Sequence, residues 1–266
     1  MIQQQPYLEV QREREVRILS AFFGLDDAMP LRSIALHLAA PGQDGMPVVF
    51  SHQLDPDSLQ AEYFLIETKS GARHRPFFAT LRPADEESEL RTALLIGDLG
   101  DADRDPPVRL QITGPLRTRD GRSLAGLAIQ ITPLEAGPDL VHAGWFRPAW
   151  RSEQARAVGN SESDCPADRT QTIVYTTWSG GVRAIDGDEP GPREFEGFLV
   201  RLRGGDGTIQ KIHPIAFGDI GDRDNHLDLC LSAAGTPIAV DVAPDTLIDP
   251  RGDANAAVTA QIESYP

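Results

Sequence analysis

Acidic side chains offer the first chemistry in this sequence. Asp98, Asp101, Asp103 and Asp105 fall within eight residues, and Asp219, Asp222, Asp224 and Asn225 form a second group. Hard cations such as Ca²⁺ take about six to eight oxygens, and a loop that alternates Asp with small residues supplies several at once. One expectation is therefore a Ca²⁺ site on Asp219, Asp222, Asp224 and Asn225, with Asp101, Asp103 and Asp105 as a second candidate. The EF-hand pattern itself is broken, because Pro106 follows Asp105 where Gly is needed and Ile112 stands where a bidentate Glu would close the loop. The competing reading is a solvated turn in which each Asp accepts from its own backbone. The same reading fits Asp186, Asp188 and Glu189, beside Gly187 and Pro190.

His226 is the histidine with the most chemistry around it. Asp222 and Asp224 precede it, and a carboxylate beside an imidazole orients it as a general base. That trio, with aromatics from Trp145 to Trp150 as a wall, carries the alternative expectation of an enzyme. It would be a hydrolase or isomerase of a small molecule, with its site in a cleft between the two halves of the chain. His37, His52, His74, His142 and His213 form no HxH or HExxH pair, so no zinc site is legible. Cys165 and Cys230 either close one disulfide across 65 residues or stay as two thiols. Leu227, Leu229 and Leu231 alternate with Cys230, which turns its side chain away from theirs. Arg251-Gly252-Asp253 spells an adhesion tripeptide, a three-residue match that chance supplies often. No phosphate-binding loop, dinucleotide fingerprint, G-x-S-x-G elbow or paired C-x-x-C occurs, which argues against the common cofactor enzymes.

A formal net charge of −15 repels phosphate backbones and anionic membranes. Nucleic acid is therefore not an expected partner; a protein, a glycan or a small molecule is. No run approaches the roughly 18–20 apolar residues of a membrane span. The first residues, Met1 to Pro6, show neither a basic start nor an apolar stretch of a signal peptide. The protein is accordingly cytoplasmic, or a mature form from the periplasm or cell exterior.

The elements that position these groups repeat. Phe64-Leu65-Ile66 matches Phe198-Leu199-Val200, and each is followed by a Gly-containing turn. Arg75-Pro76 and His213-Pro214 come next, then acidic loops, then the apolar runs Leu90–Ile96 and Leu227–Leu231. Pro107–Ile112 and Pro237–Val242 alternate apolar with polar or small residues, the period of a half-buried strand. Each half closes on a last strand, Leu127–Thr132 or Ala257–Ile262. Short β-prone runs between turn signals predict an all-β protein of two tandem antiparallel β-sandwich domains related by internal duplication. The expected boundaries are residues 1–140, a linker or packed excursion over 141–168, and residues 169–266. Val16-Arg17-Ile18 and Ile173-Val174-Tyr175 read as first strands. Leu31–Ala40 reads as one short helix with Leu31, Ile34, Ala35 and Leu38 on a face.

The first half also resembles a known family. Pro47-Val48-Val49-Phe50-Ser51 leads to Leu54-Asp55-Pro56-Asp57-Ser58-Leu59 and then to Phe64-Leu65-Ile66. It ends on Leu110–Leu116 and Arg119-Asp120-Gly121-Arg122-Ser123-Leu124-Ala125-Gly126. This resembles the bacterial Ig-like modules of surface-layer and adhesin-type proteins over about 80 residues, and the second half keeps only fragments such as Leu247-Ile248-Asp249-Pro250. The resemblance implies an exported or surface-associated binding or structural module without catalytic residues.

Overall fold

The computed structural model describes residues 15–86, 89–148, 164–218, 221 and 223–262. The described residues form antiparallel strands joined by turns and 3₁₀ segments, with no α-helix among them. The chain divides into two compact units, one running to Ala136 and the other from Gly137 to Ser264.

Unit 1 contains β1 (Ile18–Ala21), β2 (Asp44–Phe50), β3 (Phe64–Thr68), β4 (Arg73–His74), β5 (Phe78–Thr80), β6 (Thr92–Gly97), β7 (Pro107–Ile112) and β8 (Ala128–Gln130). One sheet runs β1-β2-β6-β5 and the other β4-β3-β7-β8. Unit 2 contains β9 (Leu140–Phe146), β10 (Thr172–Trp178), β11 (Phe198–Arg203), β12 (Ile209–Ile212), β13 (Ala216–Gly218), β14 (His226–Leu231), β15 (Thr236–Val242) and β16 (Val258–Gln261). Its sheets run β9-β10-β14-β13 and β12-β11-β15-β16, so the strand order of unit 1 recurs.

Alternation builds each core. Phe64 and Ile66 of β3 point inward against Met46, Val48, Phe50, Leu95, Leu110 and Ile112. In unit 2, Phe198 and Val200 meet Val174, Trp178, Leu229 and Val240 in the same way. A fully buried side chain of this size stabilises by about 1.5–3 kcal/mol. The sandwich therefore follows from apolar stripes that only a facing sheet can cover.

The correspondence extends to register. Phe64 faces Ile112 and Ile66 faces Leu110, as Phe198 faces Val242 and Val200 faces Val240. Asp44 faces Gly97 where Thr172 faces Leu231. The bulges recur as well. Leu19 is the extra residue between Ile18 and Ser20 on β1, and Val141 is its counterpart on β9. Val108 on β7 and Ile238 on β15 are a second matched pair. A bulge disrupts ladder bonds and bends its strand, so two such pairs at matching positions are specific features rather than generic sheet irregularity.

Three sequence expectations change. Leu31–Ala35 forms a 3₁₀ turn rather than a ten-residue helix, and Leu31 and Leu38 are 78% and 83% exposed. The turn is too short to bury a stripe. Ser33 is its buried residue, and Met29 and Ala40 fill the adjoining surface instead. Residues 141–146 belong to β9, whose Trp145 packs on the inner cluster of unit 2. Ile173–Tyr175 is consequently part of the second strand of its unit, paired on both sides, and β9 is the first. Trp150 lies outside the described residues.

Candidate functional site

The acidic groups are positioned by turns. Asp101 Oδ1 accepts from the backbone N–H of Asp103 and of Arg104, and Asp101 and Asp105 exchange backbone hydrogen bonds. The Asp105 carboxylate accepts from the Ser70 and Thr68 hydroxyls and the Ser70 N–H, which hold it below the usual carboxylate range. Asp105 thereby ties the β6–β7 connection to the β3–β4 turn. Asp186 accepts from Asp188 N–H and from Arg193. Among the described residues, no group of three or more His, Cys, Asp or Glu side chains converges as a metal would require. Asp219 and Asp222 lie outside the described residues.

Asp224, Asn225 and His226 lead into β14. Asp224 Oδ1 accepts from the His226 N–H, and Asn225 Nδ2 donates to the Trp178 carbonyl. Arg223 takes a left-handed conformation, φ 62°, which turns the chain into the strand. His226 is buried and stands opposite Thr177 of β10, with Thr177 Oγ1 and His226 Nδ1 3.4 Å apart.

Register assembles a larger polar set that the sequence alone does not join. Directly opposed residues of antiparallel strands share a face. On the outer face of the β9-β10-β14-β13 sheet, one row is His142, Thr177 and His226. The next is Gly144, Tyr175, Asp228 and Gly218, and the third is Phe146, Ile173, Cys230 and Ala216. Tyr175 lies across Gly144, where any Cβ would collide with its ring, and its ring centroid is 5.7 Å from that of His142. Thr177, His226 and Asp228 are all buried. The Thr177 hydroxyl, His226 imidazole and Asp228 carboxylate thus share one buried face of the sheet. His142, Tyr175, Asp224, Asn225, His226 and Asp228 all have further partners. His226-Leu227-Asp228-Leu229-Cys230 announces its own face by alternation; Thr177, Tyr175 and His142 need the register to be found.

Cys165 and Cys230 are joined by a disulfide. Cys230, Cys165 and Ile173 form a small outer cluster with Phe146, Ile215 and Ala216, while Leu227, Leu229 and Leu231 point into the main core.

A buried carboxylate organises the tripeptide region. Asp249 Oδ1 accepts from the N–H groups of Arg251, Gly252 and Asp253, so this stretch is held in a turn. Burial raises the Asp249 carboxyl above its ordinary value despite those bonds. In unit 1 Thr118 stands at the matching place, its hydroxyl accepting from Arg122 N–H. His213 and Arg75 are matched likewise: His213 Nδ1 meets the Phe198 carbonyl at 2.6 Å, and Arg75 donates to that of Phe64.

No family model and no curated protein matches the chain. Among solved structures, the N-terminal part of the bacterial S-layer protein SbsC aligns at 10% identity and TM-score 0.34, covering 96% of this chain and 45% of that one. The S-layer protein rSbsC(31-844) aligns at 10% identity and TM-score 0.34, with 97% and 42% covered. E. coli alpha-2-macroglobulin aligns at 10% identity and TM-score 0.25, with 79% and 18% covered. The chain spans less than half the length of these proteins.

Proposed function

We propose that the chain is a pair of Ig-like modules, arisen by internal duplication, that acts as an exported, surface-associated structural or binding element without catalysis. The strand orders β1-β2-β6-β5 and β4-β3-β7-β8 correspond to A-B-E-D and C′-C-F-G, the immunoglobulin arrangement with one added edge strand. Unit 2 supports the same assignment with β9-β10-β14-β13 and β12-β11-β15-β16. The observation that carries the duplication is the recurrence of both bulges, Leu19 with Val141 and Val108 with Ile238. Export is supported by the Cys165–Cys230 disulfide, since such bonds persist in oxidising compartments and are rare where thiols are kept reduced.

The test is fractionation of native cells with thiols trapped at lysis. The reading expects the protein outside the cytosol with both cysteines unreactive. Recovery from the cytosol alone, with two alkylated thiols, overturns the exported role.

A further inference from the structure

We propose that the Asp249–Pro250 peptide bond cleaves itself in the folded protein at mildly acidic pH, with the Asp249 side chain as the attacking group, so that the chain is cut ahead of β16. The step happens once per chain and acts on no external substrate.

The sequence contains three Asp-Pro bonds, Asp55-Pro56, Asp105-Pro106 and Asp249-Pro250. Each pairs a tertiary amide, whose nitrogen leaves as a secondary amine, with a carboxyl that can reach its own carbonyl carbon through a five-membered ring. The fold treats the three differently. Asp55 Oδ1 accepts from the Asp57 N–H, and its Oδ2 accepts from Arg117 at 3.3 Å. Asp105 has both oxygens engaged, Oδ1 by the Ser70 N–H and Oδ2 by the Ser70 and Thr68 hydroxyls. Asp249 is fully buried, and its Oδ1 alone takes the N–H groups of Arg251, Gly252 and Asp253, at 2.8, 2.9 and 3.0 Å. Its Oδ2 is buried as well and meets no hydrogen-bond partner among the described residues. The three donors lie just beyond Pro250, so the carboxyl is folded back along the bond it attacks, a placement that an unfolded Asp-Pro reaches only in passing. The Gly252 N–H also donates to the Asp249 carbonyl oxygen at 3.1 Å, where negative charge develops on attack. Burial raises the Asp249 carboxyl above its ordinary value, so the neutral form persists at a pH where an ordinary aspartate has lost its proton.

In the first step Oδ2 of the neutral carboxyl adds to the Asp249 carbonyl carbon. The bond from that carbon to the Pro250 nitrogen breaks, and the carboxyl proton passes to the nitrogen, which leaves as a secondary amine. Asp249 is left as a cyclic anhydride. One water then opens the anhydride, giving the side-chain carboxyl and a new C-terminal carboxyl on Asp249; the sum is hydrolysis of one peptide bond. The cut piece stays docked, because Asn255 Oδ1 accepts from the Thr246 and Leu247 N–H groups and β16 pairs with β15. Residues 250–266 therefore come away only on denaturation.

The full chain, incubated at pH about 5 and at neutral pH and then denatured for mass spectrometry, tests this. Fragments 1–249 and 250–266 accumulate faster at the lower pH. They form at least about tenfold faster than cuts at Asp55-Pro56 or Asp105-Pro106, and about tenfold faster than the same cut in urea-unfolded chain at the same pH. In heavy-oxygen water the label enters the Asp249 side-chain carboxyl as well as its new C-terminal carboxyl, the mark of an opened anhydride. Asp249→Asn keeps an oxygen for the three N–H groups and so keeps the turn, and it stops the cut. Pro250→Ala keeps the carboxyl and slows the cut about tenfold, because the amide is no longer tertiary. Absence of cleavage, equal rates at the three Asp-Pro bonds, an unfolded chain that cuts as fast as the folded one, or label confined to the new C-terminal carboxyl overturns the proposal.

Discussion

The outer faces of the two first sheets occupy the same place in one strand arrangement and are built from opposite chemistry. In unit 1 the central rows read Ser20, Val49 and Thr92, then Phe22, Pro47 and Leu94, then Gly45 and Ile96. In unit 2 the corresponding rows read His142, Thr177 and His226, then Gly144, Tyr175 and Asp228, then Ile173 and Cys230. The inner faces are apolar in both. The fold is thus held by the inner stripes and the bulge-set registers, while the outer face is free to differ. Unit 1 uses that freedom to pack a connection, and unit 2 to gather polar groups and a disulfide.

The comparison breaks first at the shared cores. Phe64→Ala and Phe198→Ala truncate matched side chains, and each costs its own unit about 3–5 kcal/mol. Denaturant titration followed by hydrogen exchange reads β3 and β7 for the first and β11 and β15 for the second. Clearly unequal losses would show that the two interiors are not equivalent. The disulfide comes next. Removing it reopens a loop with sequence separation 65 and costs unit 2 about 4 kcal/mol on the chain-entropy model. Tryptophan emission follows unit 2, because Trp145, Trp150 and Trp178 all fall between Gly137 and Ser264.

Charge separates the units more finely. Asp44 begins β2 where neutral Thr172 begins β10. Its carboxylate accepts from Asp27 and Leu99 N–H groups, yet burial pushes it from 3.8 up to about 6, helped by the nearby charges of Asp26 and Asp27. A raised carboxyl stabilises the fold fully below the unfolded value, and that contribution is lost as pH rises through about 6. The full shift corresponds to roughly 3 kcal/mol. Asp44→Asn therefore flattens the stability of unit 1 between pH 4 and pH 6, measured by denaturant midpoints at each pH. An unchanged slope would remove Asp44 as its source. The smallest effect is expected at Leu38, where the exposed side chain makes Leu38→Ser neutral within about 0.5 kcal/mol. A loss comparable to the core changes would mean that this face is covered.

Much of the scaffold was legible because alternation is local. Phe64–Ile66, Pro107–Ile112 and their partners carry their strand character in three to six residues. β9 was not legible as a strand. Gly144 interrupts its pattern, and that glycine exists to make room for Tyr175, a residue 31 positions away. The Leu31–Ala40 stripe misled for the complementary reason: spacing shows which residues share a face but not which way the face turns. Of the candidate groups, His226 and Cys230 were visible individually. Their neighbours His142, Thr177 and Tyr175 join them only through pairing across β9, β10 and β14, which depends on register.

Cross-strand backbone NOEs around the second bulge pair test the repeated architecture most directly. The account predicts Arg109 opposite Glu67 and Pro107 opposite Thr68, with Val108 looped out, and likewise Ala239 opposite Arg201 and Pro237 opposite Leu202, with Ile238 looped out. Continuous pairing through either Val108 or Ile238, or a different partner strand in one unit, would contradict it.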